Sequence, residues 1–335
     1  MIKRSAAAEI HALDERHRQA ALGGVIGDGQ PVDAAANDEH IESTAGQGAE
    51  VTLHCGLKIA DFRFYFRLGL NLQSAICNCY SLPVATIDQV REYWEHHIHD
   101  LEITQHPVGS RGFFDDLDQY HFEKLHHLLR LVDFNGWRGR SVLEVGCGAG
   151  VDLARFAKGG AEVSGVDLTE SAIALARANF SQQGLSGRFE VADAERLTFA
   201  DNTFDLVYAH GVVQYTASPQ QLVNECYRVL KPGGQAVFQV YNRVSWLNAL
   251  SKLMKVDLEH DDAPVLLKFS AGEFRRLLVR FRDVRIVPER FPVKSRLHGG
   301  WKGALYNGLF VGMFNALPRP LVRRFGWHLL AFCTK

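Results

Sequence analysis

From Ser141 to Tyr241 the chain alternates between short apolar runs and helix-patterned stretches. That alternation limits the folds open to it more than any other feature. Strands are expected at Ser141–Val145, Glu162–Val166, Arg188–Ala192, Phe204–Ala209 and Gln235–Tyr241, with helices between them. Strand–helix units of this length connect through crossovers, which makes a mostly parallel sheet with helices on both faces. Ligands on such sheets sit beyond the carboxyl ends of the strands. The flanking helix signals agree. Thr86 and Gln89 form a capping box ahead of Ile87, Val90 and Trp94. Ser218 with Pro219 and Gln221, and Ser270 with Glu273, repeat the pattern. Phe114, Leu117, His121, Leu125, Leu128 and Val132 recur at helical spacing, which predicts one helix over Phe114–Val132.

The first strand runs into "EVGCGAG". A dinucleotide turn has G-x-G-x-x-G, whereas Gly146, Gly148 and Gly150 are spaced G-x-G-x-G and Val151 stands at the third dinucleotide position. Such a turn still lets backbone approach a ligand closely. The helix start behind it offers free N–H groups to a carboxylate as readily as to a pyrophosphate. Asp167 lies 21 residues after Gly146, at the spacing of a carboxylate that accepts from ribose hydroxyls. NAD and other adenosine ligands share that feature.

Three further segments follow in order: A-D-A-E-x-L-x-F from Ala192, F-D-L-V-Y from Phe204, and R-V-L-K-P-G-G from Arg228. Together with E-V-G-C-G-A-G and G-V-D-L they resemble the class I S-adenosylmethionine-dependent methyltransferases, of the type 11/25-like small-molecule kind. The resemblance is tight over Arg140–Tyr241, looser over Ile87–Gly139 and Ser270–Asp283, and absent before about residue 83. It implies an α/β Rossmann-like, doubly wound, seven-stranded sheet. The sheet is mostly parallel with an antiparallel last strand, here "FGWHLLAFCTK", beneath an N-terminal helical cap. It also implies roles. Gly146, Cys147, Gly148 and Gly150 wrap the methionine moiety of S-adenosyl-L-methionine, and Glu144 reaches its ammonium group. Asp167 holds the ribose, Leu168 packs on the adenine, and Asp193 with Ala194 meets the adenine amino group. His210 sits near the transferred methyl, and S-adenosyl-L-homocysteine is the product.

The sulfonium donor carries an activated methyl, so the protein must align an acceptor and exclude water. No metal is expected. An oxygen or carbon acceptor also needs a base. Members of the family often carry two histidines where this chain has Gln214 and Tyr215, and Gln is no base at neutral pH. His210 is the local substitute, either as the catalytic base or as a pocket wall. Tyr120, Gln214, Tyr215 and Tyr241 are the candidate substrate contacts, and His121 is a closing residue or a core histidine. Asp152 is read as a first-turn carboxylate suited to the helix dipole, Asp205 as structural, and Cys147 as a small loop residue. The cluster His96, His97 and His99 is read as a solvated helix end, and the C-x-C of Cys77 and Cys79 as ordinary thiols.

Net charge is −1 over 335 residues, which argues against a nucleic-acid partner and a polybasic membrane anchor. Six scattered cysteines fit a reducing, cytoplasmic setting. No window of about 18 apolar residues spans a bilayer. Three domains are expected. Residues 1–83, low in complexity, are an extension of the gene call or a flexible tail. Residues 84–139 form the helical cap, and residues 140–335 form the cofactor-binding domain. Inserts at about 242–269 and 289–325 shape the acceptor pocket, and the second is a lid or a weak peripheral membrane contact. The expected activity is methyl transfer to an O, N or C atom of a small-molecule acceptor. The rival readings are a macromolecule (RNA or protein) methyltransferase, a non-catalytic S-adenosylmethionine-binding protein and an NAD-dependent oxidoreductase.

Overall fold

The computed structural model describes residues 85–97, 100, 103–254, 258, 260–292, 304, 306–318 and 322–335. The expectations for residues 1–83, for Cys77 and Cys79, and for His99 fall outside these residues. Seven strands form one sheet: β1 (Ser141–Val145), β2 (Glu162–Asp167), β3 (Arg188–Val191), β4 (Phe204–His210), β5 (Leu230–Tyr241), β6 (Arg282–Glu289) and β7 (His328–Thr334). Their order is β3-β2-β1-β4-β5-β7-β6. Strands β3, β2, β1, β4 and β5 run parallel, and β7 lies antiparallel to both β5 and β6. The strand order reverses at β1, where the glycine turn sits, so the ligand-binding crevice opens there.

The buried strands are apolar on both sides because helices cover both faces. On one face Leu143, Val145, Val207 and Ala209 pack with Leu222, Val223 and Cys226 of α6 (Pro219–Val229) and Phe274 of α8 (Ala271–Leu277). On the other, Val142, Leu206, Tyr208 and Val237 meet Leu153 and Phe156 of α4 (Val151–Lys158). Phe122 of α2 (Arg111–Lys124) and Leu128 of α3 (Leu128–Leu131) join them there. Helix α5 (Glu170–Gln183) follows β2, capped by Thr169 and closed by Gly184 in the left-handed conformation. Helix α1 (Ile87–His96) carries the expected Thr86–Gln89 capping box, and α8 the expected Ser270–Glu273 box. Helix α7 (Trp246–Met254) and a short helix α9 (Val311–Ala316) belong to the two inserts. Trp246 packs on Phe310 and Phe314, with ring centroids 5.8 and 6.2 Å away. Among the described residues no helix is long and apolar enough to cross a membrane.

Three local expectations are corrected. The single helix over Phe114–Val132 is two: α2 begins at Arg111 under a Ser110 cap and stops at Leu125, and α3 restarts after His127. The Ser218 side chain makes no cap bond. Glu195 serves instead, accepting from the Ser218 N–H at 2.7 Å and from the Thr216 hydroxyl. Strand β5 starts at Leu230, ahead of the Pro-Gly-Gly. Phe204 pairs with Leu230 and Leu206 with Gln235, so the Pro-Gly-Gly swells out as a bulge with Gly233 at φ +77°.

Candidate active site

The end of β1, the glycine turn and the start of α4 form the floor of a cavity of about 280 Å³. Gly146, Gly148 and Gly150 all have positive φ, at 69°, 50° and 70°. At Gly146 the need is also steric, since a Cβ there would meet Val212 Cγ2 at 2.1 Å. The N–H groups of Gly146 and Cys147 donate to the Val166 carbonyl at 2.7 and 3.0 Å, which fastens the turn to β2. Asp167 at the tip of β2 accepts from the Gly148 N–H at 3.0 Å and from both donors of Thr169. Asp193 accepts from the Glu195 N–H at 2.8 Å, which shapes the loop after β3.

The cavity wall includes Glu144, Gly146, Cys147, Gly148, Asp167, Leu168, Asp193, Ala194 and His210, residues drawn from four strand ends. Gly150 lies behind the wall, where it starts α4. Two observations fit S-adenosylmethionine. Glu144 is buried with Oε2 unpartnered, an orphan acceptor beside the turn. Nothing lies within 4 Å of a Cβ built at Gly148, which leaves the turn open to a ligand. Burial, and next the Asp152 charge, push the Glu144 carboxyl well above the usual range. A cationic group at Oε2 would restore its charge. Burial pushes the Cys147 thiol far up, so it stays protonated, as a small loop residue should.

The residue the sequence undervalued is Asp152. It is buried in the first turn of α4, and the dipole is the smaller part of its role. Oδ1 lies 3.0 Å from His121 Nε2, and Oδ2 lies 3.2 Å from His210 Nδ1 and 3.0 Å from the Tyr208 hydroxyl. Burial alone would raise its pKa, but His121 and His210 beside it hold the carboxyl far below the ordinary range. Burial lowers the His210 pKa, partly offset by Asp152, so the imidazole is neutral near pH 7. His121, Asp152 and His210 each offer one atom within 4.8 Å of the others, a donor set able to chelate a metal ion. In this arrangement the Asp152 carboxylate accepts from both imidazoles and from the Tyr208 hydroxyl.

Helix α1 closes the cavity with Ile87, Val90 and Trp94. It is anchored on both sides. The Tyr93 hydroxyl donates to Asp262 at 2.7 Å, and Glu95 accepts from the Ser171 N–H at 3.0 Å. His96 and His97 bond carbonyls of their own helix, those of Glu92 and Tyr93. Among the substrate candidates, Tyr215 and Tyr241 line the cavity with hydroxyls 3.1 Å apart. Tyr120 and Gln214 lie off the wall. Lys124 Nζ sits 5.4 Å from the Tyr120 ring centroid, and Gln214 is fully buried with both amide atoms unpartnered. The sequence reading missed Trp94, Gln239, Arg290 and His328, which also line the cavity. Asp205 is structural as expected: burial would raise its pKa, but the bonds it accepts from Lys231 and Ser141 hold it down to about 2.

The family model described as a methyltransferase domain matches residues 143–238. A ubiquinone biosynthesis O-methyltransferase of Coxiella burnetii is 37% identical over 106 residues, 32% of this chain and 45% of that protein. The protein of the same name from Thiobacillus denitrificans is 37% identical over 141 residues, 40% of this chain and 59% of its own. The chain therefore spans about half the length of the curated relatives it matches. A solved S-adenosylmethionine-dependent methyltransferase from Archaeoglobus fulgidus aligns at 19% identity and a TM-score of 0.44, over 65% of this chain and 98% of its own.

Proposed function

Residues 143–238 belong to a class I S-adenosylmethionine-dependent methyltransferase domain, and from that premise we propose that the chain methylates a hydroxyl group of a small molecule. The observation that carries this reading is His210, a neutral imidazole at the end of β4 whose Nδ1–H is taken by Asp152. That bond leaves Nε2 to accept a proton from an acceptor hydroxyl. When bound, S-adenosylmethionine supplies a methyl group activated by its sulfonium. Glu144 and the glycine turn hold its methionine end, and Asp167, Leu168 and Asp193 hold its adenosine. Asp152 orients His210 and stabilises the imidazolium that forms as the proton arrives. The names of the curated relatives support oxygen as the accepting atom. A cavity of about 280 Å³ roofed by Val90 and Trp94 supports a small acceptor over a polymer.

The test is transfer of an isotope-labelled methyl group to a small-molecule extract, with mass spectrometry of the product. A methyl ether is the expected product. Bound S-adenosylhomocysteine with no labelled small molecule would count against the proposal.

A further inference from the structure

The cavity is electrically divided. Its cofactor side holds Glu144, Asp152, Asp167 and Asp193, which suits a cationic donor. Its other side, where β5 and β6 end and β7 begins, is lined by Gln239, Tyr241, Arg290 and His328. Tyr241 pairs with His328, and His328 with Glu289, so the residue after β6, Arg290, comes up beside His328. Arg290 Nη1 lies 3.1 Å from His328 Nε2. Arginine can only donate, so His328 accepts at Nε2 and carries its proton on Nδ1. That Nδ1–H is buried without a partner, and so is Nε2 of Gln239, which also lines the cavity. Both residues are only 2% exposed.

The nearby acids are engaged elsewhere. Glu289 bonds Arg130 at 2.7 Å, and Asp100 bonds Lys124 at 3.2 Å. Among the described residues no carboxylate pairs with Arg290. The Arg290 guanidinium, the His328 Nδ1–H and the Gln239 amide are donors on one side of the cavity wall, a set whose chemistry matches an anion. The His328 ring centroid is 5.9 Å from that of His210, so the anion would sit about one aromatic ring from the base.

We propose that the acceptor is an anionic small molecule, bearing a carboxylate or phosphate that docks on Arg290, His328 and Gln239 while its hydroxyl faces His210. The inference rests on the methyltransferase reading above and names the substrate class of the same site.

Calorimetry on the full chain saturated with S-adenosylhomocysteine tests it without turnover. Benzoate and phenyl phosphate are the anionic probes, and benzamide is the neutral match. One or both anions should bind at least tenfold more tightly than benzamide, and the better one tells carboxylate from phosphate. Arg290→Gln should erase the preference and Arg290→Lys should restore part of it, with S-adenosylhomocysteine affinity unchanged in both. Equal binding of the three probes, or a preference that survives Arg290→Gln, would overturn the proposal. Loss of S-adenosylhomocysteine affinity in Arg290→Gln would also overturn it, by assigning the guanidinium to the donor's own carboxylate. A wild-type protein that binds no S-adenosylhomocysteine would sink both readings; one that binds it without preferring the anions would sink this one alone.

Discussion

Asp152 Oδ2 stands 3.2 Å from His210 Nδ1, which joins the first turn behind the glycine loop to the end of β4. Asp152→Asn keeps the size of the side chain and removes its charge. Turnover should fall about 10²- to 10⁴-fold, the usual range for a disabled general base, while affinity for S-adenosylhomocysteine changes little. The pH profile separates this from a packing defect. His210 must be neutral to act, so the acid limb should lie below the ordinary histidine value of about 6.5. Asp152 favours the imidazolium, so its loss should move that limb lower still. An acid limb that stays in place would show that Asp152 does not act through His210.

His121, Asp152 and His210 form a chelating set as well as a hydrogen-bonded one. The hydrogen-bonded reading makes two predictions for one experiment. Dialysis against EDTA leaves turnover unchanged, and added Zn²⁺ inhibits by taking the His210 lone pair. Activity lost on chelation and restored by a divalent ion would make the trio a metal centre instead.

The donor side can be tested apart from the chemistry. Asp167→Ala removes the proposed ribose contact and also the bonds to the Gly148 N–H and Thr169. Gly146→Ala places a methyl 2.1 Å from Val212 Cγ2 at a φ of 69°. Each should weaken S-adenosylhomocysteine binding by about 100-fold, as expected when about 3 kcal/mol of contact is lost. Equilibrium dialysis with labelled ligand measures it, and wild-type affinity in Asp167→Ala would refute the ribose assignment.

Local patterning made the sheet readable in advance. The four strands β1 to β4 lie within one residue of their expected ends, because buried parallel strands are near-continuous apolar runs. Strand β6 went unread. Its sequence, RDVRIVPE, is that of an edge strand, with four charged residues breaking up the apolar ones. The glycine turn and its acids were legible because they are close in sequence and fixed in spacing. The pairing of Asp152 with His121 and His210 spans 31 and 58 residues, and no local pattern encodes it. Arg290 and His328 were invisible for the same reason: the antiparallel return of β7 brings them together across 38 residues.

The buried imidazoles give the fold a pH dependence of its own. His127 is 1% exposed, with both ring nitrogens unpartnered, and burial followed by the charge of His210 pushes its pKa down to about 3. The unfolded chain takes up this proton near pH 6.5 and the folded chain does not. The stabilising contribution is therefore complete above pH 6.5 and is lost as pH falls from there toward 3. The slope is about 1.4 kcal/mol per pH unit for each such group. His328, buried and lowered in the same direction, adds to it. His127→Leu keeps a side chain of similar bulk without a titrating group, so urea unfolding at pH 7.5, 6.0 and 5.0 should show a slope shallower by about one proton. An unchanged slope would mean that His127 is already protonated, or reaches water, in the folded protein.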